Sequence, residues 1–438
     1  MTETELPEPA SRPADRTAAD TPSSSRGSGL GTFFRSMDER ERSTFIACAA
    51  GWALDGMDYM IYPLVLGTLM ELWHVSSGAA GLAATATLLA SAVGGWLAGF
   101  LSDRLGRVRT LQITIAWFSL FSLASAFAPD FRTLLLLRTL LGFGFGGEWA
   151  VGAVLMGEVI RPAFRGRAVG AVQSGWALGW GAAVLAQALL FSLFPPAFAW
   201  RAMFALGALP ALLTLFIRRR VAEPPIARAA RAEAARHGAP SLWRIFAPDL
   251  LPVTALASLA SMGAQGGYYA ITTWLPTFLK TSRGISVVGS TGYLAFLILG
   301  SFAGYLTGAW AADRLGRRPL FLLFSAGAIL VVLAYTALPI PNGLMLWLGF
   351  PLGFFASGYF SGLGPFLTEL YPTPVRGSGQ GFCYNFGRGM GALFPTLIGY
   401  LAAHLGLGHA IAVFAALAYG LFFLAAFALP ETRGRRLA

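Results

Sequence analysis

The chain has 438 residues, of which 55% are hydrophobic and 12% charged, with a formal net charge of +11. Soluble domains carry about 25% charged residues, so a soluble fold is excluded. Long, continuous apolar runs also exclude a β-barrel, whose strands alternate over about ten residues, and leave an all-α membrane protein.

Residues 1–43 are rich in Pro, Ser, Thr and charge, as in "TPSSSRGSGLG" (21–31). Such a segment buries too little apolar surface to fold. It also lacks the basic start and short apolar core of a signal peptide, and it reads as a disordered tail. Twelve apolar stretches follow, each near the ~20 residues that cross a bilayer. They fall at 44–70, 79–101, 110–128, 132–156, 167–191, 201–217, 250–279, 288–311, 319–338, 343–368, 378–402 and 409–429. This divides the chain into a six-helix bundle (44–217), a polar linker (218–249), a second six-helix bundle (250–429) and a short tail (430–438).

Numbering the loops alternately from a cytoplasmic N-terminus puts 26 basic residues on the cytoplasmic side and four (Arg132, Arg201, Lys280, Arg283) on the other. That asymmetry predicts two cytoplasmic termini and accounts for the net charge without nucleic acid. The remaining two, Arg138 and Arg388, lie inside apolar spans.

The chain is duplicated. "GFLSDRLGRVR" (99–109) returns as "GAWAADRLGRRP" (308–319), and "GEVIRPAFRGRAVG" (157–170) returns as "TELYPTPVRGSGQG" (368–381). Two parallel halves of six spans predict a site at the midplane between them. Gly106 and Gly316 permit the tight turns of the first repeat pair. Asp103, Arg104 and Arg107, with their repeats Asp313, Arg314 and Arg317, sit at cytoplasmic helix ends. There an aspartate attracts a helix N-terminus of the opposite half and closes an inner gate. Glu158 with Arg165 or Arg167, and Glu369 with Arg376, are expected to extend this charge network.

The paired G-x-x-x-D-R-x-G-R pattern resembles the major facilitator superfamily over about residues 44–436. "RTLLGFGFGGEW" in the fourth span is similar to that family's Arg-x-x-x-Gly motif. "LDGMDY" in the first span, "GGEW" in the fourth and "GQGFCYNFGRGMGALFP" in the eleventh look most like its metabolite:proton symporters, the sialate/monocarboxylate branch above all. The aromatic-acid:proton branch is similar in the first span and less so in the fourth. The resemblance implies a monomeric secondary transporter of the cytoplasmic membrane that works by alternating access. It also implies that an acid of the first span is functional and that Arg138 neutralises it.

Five ionisable residues lie inside spans: Asp55, Asp58, Arg138, Glu148 and Arg388. Each costs at least about 2.5–3.5 kcal/mol at a helix centre and is therefore a functional candidate. Asp55 and Asp58, at i and i+3, share one helix face. Either they carry the coupling proton or they pair with an intramembrane arginine. Arg138 links protonation to conformation or forms a packing pair. Glu148 carries a proton or partners an arginine, and the glycines at 144, 146 and 147 would pack it against the second or fifth span. His74, His237, His404 and His409 all lie in loops or at helix ends, so no mid-span histidine competes for the proton.

Arg388, among the glycines at 387, 389 and 391, is the candidate for a substrate carboxylate, because guanidinium takes carboxylate in a bidentate fork. A permanent bridge to Asp55 or Asp58 is the alternative, and the two can coexist by competition. Gln173, Trp176, Gln265, Tyr268, Tyr269, Tyr384 and Asn385 would line a mixed apolar and hydrogen-bonding cavity. Each taken singly is more simply a packing or interhelical hydrogen-bonding residue. Asp55 maps by the repeat to Gln265 and Asp58 to Tyr268, so charge in one half meets neutral polar groups in the other.

No Walker A pattern is present, and the spacing of Cys48 and Cys383 fits no metal site. The expected activity is proton-coupled uptake of an organic acid, such as a monocarboxylate or sialate, with no catalytic residues, no metal and no cofactor beyond the proton. The rivals are a sugar:proton symporter, favoured by "PETRG" (430–434) but not by mid-span Arg388, a proton-driven drug exporter, and a transporter-like receptor.

Overall fold

The computed structural model describes residues 37–160, 165–222, 242–372 and 375–433. Among these, all regular structure is helical. The first half comprises α1 (Glu39–Trp73), α2 (Ser77–Leu105), α3 (Arg107–Ser125), α4 (Phe131–Val159), α5 (Arg165–Leu193), α6 (Pro196–Leu206) and α7 (Pro210–Arg220). The second comprises α8 (Leu251–Thr281), α9 (Ser290–Arg314), α10 (Arg317–Thr336), α11 (Asn342–Gly358), α12 (Phe360–Glu369), α13 (Arg376–Gly391), α14 (Leu393–Leu405) and α15 (Leu407–Ala428). A 3-10 turn at Leu242–Phe246 precedes α8.

Three of the twelve spans are broken: α6–α7, α11–α12 and α13–α14. Prolines account for two of the breaks. Pro210 and Pro395 lack the N–H that would continue the helix, and each ring clashes with the carbonyl four residues earlier.

The first helix begins earlier than the sequence predicts. Asp38 accepts from the Glu41 N–H at 2.7 Å, and Glu41 reaches back to the Asp38 N–H at 3.2 Å. This capping box starts α1 at Glu39, inside the stretch read as tail, and residues 1–36 lie outside the described residues. Residues 223–241 of the expected linker also lie outside them, as do 434–438 of the final tail.

Among the described residues, seven spans are apolar and long enough to cross a membrane by length and composition alone. Of the other five, α1, α4, α8 and α13 supply the polar groups of the site described below. Outward surfaces carry leucines such as Leu120, Leu185 and Leu330, each at least 60% exposed. That distribution suits lipid and not water.

Within each half, glycines let helix backbones touch. A side chain on Gly146 of α4 would strike the Ser91 carbonyl of α2, and one on Gly300 of α9 would strike the Phe350 carbonyl of α11. Repeat-related positions behave alike, since a side chain on Gly94 of α2 would strike the Phe143 carbonyl of α4 and one on Gly304 of α9 the Phe354 carbonyl of α11, so each half is built the same way. Gly106 and Gly316 hold φ of +104° and +111° between α2 and α3 and between α9 and α10, a conformation that excludes other residues at little cost only for glycine.

The halves meet mainly at the face away from the termini. Lys280 of α8 bonds Glu71 of α1 at 2.8 Å. Thr396 donates to Thr85 at 2.7 Å, and Thr85 donates to the Ala392 carbonyl. Gly78 and Gly81 of α2 abut Tyr400 and Pro395 of α14. Toward the face carrying the termini, Gly99, Gly152, Gly364 and Gly381 have no described atom within 4 Å of where a side chain would begin.

A Gly146→Ala variant is expected to lose about 1–3 kcal/mol by overpacking, whereas Gly99→Ala should be neutral. Thermal unfolding in detergent compares the two, and equal effects would contradict the packing described.

Candidate functional site

The five intramembrane charges are brought to one level of the molecule but not paired as the shared face of Asp55 and Asp58 suggests. α1 and α4 run antiparallel, so the outer members of each helix meet and the inner members meet.

Asp58 faces Arg138, with Nη1 to Oδ2 at 3.6 Å and both side chains almost wholly buried. Ser122 of α3 donates to the other Asp58 oxygen. Gly207, at the α6–α7 break, leaves room for this pair, since a side chain there would strike both Ser122 and Asp58. The Arg138 guanidinium lies between the rings of Tyr62 and Phe204, at 5.7 and 5.6 Å. These rings and the serine flank the buried pair, while Arg138 Nε and Nη1 and Asp58 Oδ2 have no hydrogen-bond partner among the described residues.

Asp55 instead faces Glu148. Glu148 occupies the space that a side chain on Gly51 of α1 would take. The expectation that Glu148 packs against the second or fifth span is therefore corrected. The neighbouring glycines do bring α2 and α3 up to α4, with Gly144 against Thr114 and Phe118 and Gly146 against Ser91. Glu148 points the opposite way, into α1. No other group donates to either Asp55 oxygen. Two carboxylates are both acceptors, so a hydrogen bond between them requires a proton on one.

Arg388 of α13 is 2% exposed. No carboxylate among the described residues pairs with it, so the permanent bridge to Asp55 or Asp58 is absent, and its Nε and Nη1 have no hydrogen-bond acceptor. Its guanidinium sits 5.2 Å from the ring of Tyr384 and 5.5 Å from that of Phe145. Around it the halves contribute aromatic walls. Tyr59 stacks on Phe145 at 5.6 Å and 13°, and lies 5.6 Å from Trp176 and 6.0 Å from Tyr269. Trp52 packs on Trp176 at 4.9 Å.

The neutral candidates divide. Trp176 donates to the Tyr268 hydroxyl at 2.6 Å across the halves. Gln265 donates to the Tyr384 carbonyl at 2.8 Å and accepts from Tyr269 at 3.2 Å, which fixes both tyrosines of this wall. Gln173 is buried one turn before Trp176 on α5. Asn385 does not join the cluster. It donates to the Gly381 carbonyl, and its oxygen faces Gly95 of α2, on the seam between the halves. One residue away from Tyr384, its side chain turns about 100° around the helix.

Of the terminal-face charges, Arg107 donates to Ser102 at 2.7 Å, and Arg314 stacks at 5.8 Å over Trp310. Arg317 pairs with Glu369 at 3.0 Å, and Thr432 also donates to Glu369. Glu369 thus meets the second Asp-Arg motif, a partner the sequence did not suggest. Glu431 accepts the N–H groups of Arg317 and Arg318 at the start of α10, at 3.0 and 2.9 Å. These bonds hold its carboxyl below the usual range. The side chains of Asp103, Arg104, Glu158, Asp313 and Arg376 lie outside the described residues.

Sequence reasoning missed Ser122 and Phe145. Ser122 was legible as a polar residue in "SLFSLAS" (119–125). Phe145 was masked by the glycines of "GFGFGGEW" (142–149), which drew attention to helix packing.

A multi-pass helical bundle with a charged, aromatic-walled centre between two repeated halves is the form of a membrane transporter. The Major Facilitator Superfamily model matches residues 48–382 and 308–438, and the chain belongs to that family. It is 42% identical to the probable 4-methylmuconolactone transporter of Cupriavidus pinatubonensis, over 92% of this chain and 93% of that one. It is 31% identical to the 3-(3-hydroxy-phenyl)propionate transporter of Escherichia coli, over 87% and 92%. The fold matches the xylose transporter XylE from E. coli in an inward open conformation, with a TM-score of 0.69, 18% identity and coverage of 91% and 98%.

Asp58→Asn removes the charge that Arg138 faces and is expected to destabilise the protein by roughly 3–5 kcal/mol. Asp55→Asn leaves no arginine stranded and should fold nearly as well. Unfolding of the two variants in detergent checks this, and equal loss would contradict the pairing.

Proposed function

We propose that this protein carries a planar, unsaturated organic acid into the cell together with a proton, by alternating access of its two halves about Arg388. The observation that carries the reading is Arg388 itself: a buried guanidinium with unfilled donors, walled by rings, and reached from both halves. A guanidinium always keeps its charge, so a carboxylate is the ligand that satisfies it. Aromatic walls favour a flat π-system over a sugar. The relatives named for 4-methylmuconolactone and 3-(3-hydroxy-phenyl)propionate support an unsaturated organic acid as the substrate class.

Asp55 and Glu148 hold the coupling proton in this reading. Asp58 is committed to Arg138 and Ser122, whereas the Asp55–Glu148 pair changes charge by binding or releasing one proton. Asp55 lies close enough to Arg388 for their charges to interact. In the empty carrier the singly protonated pair balances Arg388. An arriving carboxylate adds one negative charge, and a second proton on the pair restores neutrality. One proton therefore moves with each carboxylate, and the loaded site crosses without net charge. The arginine asymmetry of the loops supports cytoplasmic termini in the cell membrane.

Three outcomes are expected in vesicles containing the purified protein. An inward proton gradient should drive accumulation of a radiolabelled conjugated acid such as benzoate. Arg388→Gln and Arg388→Lys should each reduce uptake at least about tenfold, since neither reproduces the fork. Asp55→Asn and Glu148→Gln should abolish proton-driven accumulation and retain substrate exchange. Full uptake by Arg388→Lys, or accumulation without a proton gradient, would overturn the reading.

A further inference from the structure

A buried arginine side chain loses rotamer entropy on being held, and among the described residues Arg388 has no carboxylate to hold it. Two ring faces flank it instead, both within the ~6 Å over which a cation is attracted to an aromatic face, and the Tyr384 and Tyr269 hydroxyls engage it as well. Tyr384 belongs to the same helix, one turn earlier. Phe145 belongs to α4, in the other half. Arg138 is clamped by two rings in the same way but has Asp58 as well. The comparison isolates the function of the rings at Arg388, because there they act without an ion pair.

Phe145 is also part of the aromatic wall. It stacks on Tyr59 and lies 6.3 Å from Trp176. It is 3% exposed and therefore fully enclosed. Its backbone cannot drift, because Gly144 is packed on α3 and Gly146 on α2 with no room for even a methyl group. A carboxylate bound in a guanidinium fork is coplanar with it. In a conjugated acid the π-system continues in that plane, so rings that face the guanidinium also face the acid. A saturated acid of the same size has puckered carbons and cannot make this contact.

Resting on the reading of function above, we propose that Phe145 is the positioning and selectivity residue of this site: its ring orients the Arg388 fork from the opposite half and provides the face that selects planar, conjugated acids over saturated ones. Phe145 and Glu148 stand at i and i+3 on α4, so the ring that touches the anion's arginine and the carboxyl that faces Asp55 are one turn apart.

The test uses the full chain in proteoliposomes and two matched pairs of acids, benzoate with cyclohexanecarboxylate and cis,cis-muconate with adipate. Wild type should prefer the conjugated member of each pair. Phe145→Leu should raise KM for the conjugated acid about tenfold, equal to about 1.4 kcal/mol, with maximal rate changed less than about threefold. The preference over the saturated acid should collapse. Phe145→Tyr and Phe145→Trp should restore it, and Phe145→Met, nearly equal in volume, should not. On an Arg388→Gln background, Phe145→Leu should have no further effect on KM. A purely packing role predicts instead a fall in folded protein or in maximal rate for every acid alike, with Phe145→Met rescuing, and that result would overturn the proposal. Retained selectivity in Phe145→Leu, with Arg388→Gln still impaired, would overturn it while leaving the reading of function intact. Failure of wild type to carry any of the four acids would overturn both.

Discussion

A guanidinium enclosed by apolar helices without a carboxylate beside it is costly to maintain, and the architecture of the protein centres on that constraint. Arg388 is the only one of the two intramembrane arginines left in this condition, since Arg138 has Asp58. Burial without an ion pair is bearable because two ring faces flank the cation and because Asp55 lies near enough to interact with its charge. The same arrangement leaves donors free in the interior, which is the condition for receiving an anion. Stability and binding oppose each other at this residue, and the aromatic walls hold the balance between them.

Duplication explains how such a site is assembled. The halves share their construction down to the glycine contacts between α2 and α4 and between α9 and α11. They differ in what they present to the centre. The first half offers carboxyls on α1 and α4, and the second offers hydrogen-bonded tyrosines and a glutamine on α8 with the arginine on α13. Gln265 uses one donor and one acceptor on Tyr384 and Tyr269, so it shapes the wall. In the proposed function, proton chemistry and anion chemistry reside on different halves and meet on α4, where Phe145 and Glu148 are a turn apart.

The twelve spans, the repeat and the five charged residues were legible because each is a property of local composition: apolar length, recurrence, and charge where lipid should be. Which charges would meet was not. A spacing of three places Asp55 and Asp58 on one face, but a helix face in a bundle touches several neighbours. The antiparallel run of α4 sent one aspartate to Arg138 and the other to Glu148. Asn385 failed as a pocket residue for a related reason, since a single helical step carried it onto the α2 seam. Phe145 escaped notice because an aromatic residue in an apolar helix has no sequence contrast; its importance arises only when a cation from the other half is laid against it. The early start of α1, by contrast, was readable in "DERE" (38–41), whose Asp and Glu three apart are a capping signal.

The seam at the far face has a chemical peculiarity. Lys280, bonded there to Glu71, is the single lysine of the chain, and its side chain remains 24% exposed. Apart from the N-terminus, the whole protein therefore presents one primary amine, and it stands at the joint between the halves. Amine-directed chemistry would mark a single address, and that address lies where, in the proposed alternating access, the two halves separate. The protein carries, in effect, a native attachment point for a reporter of its own opening.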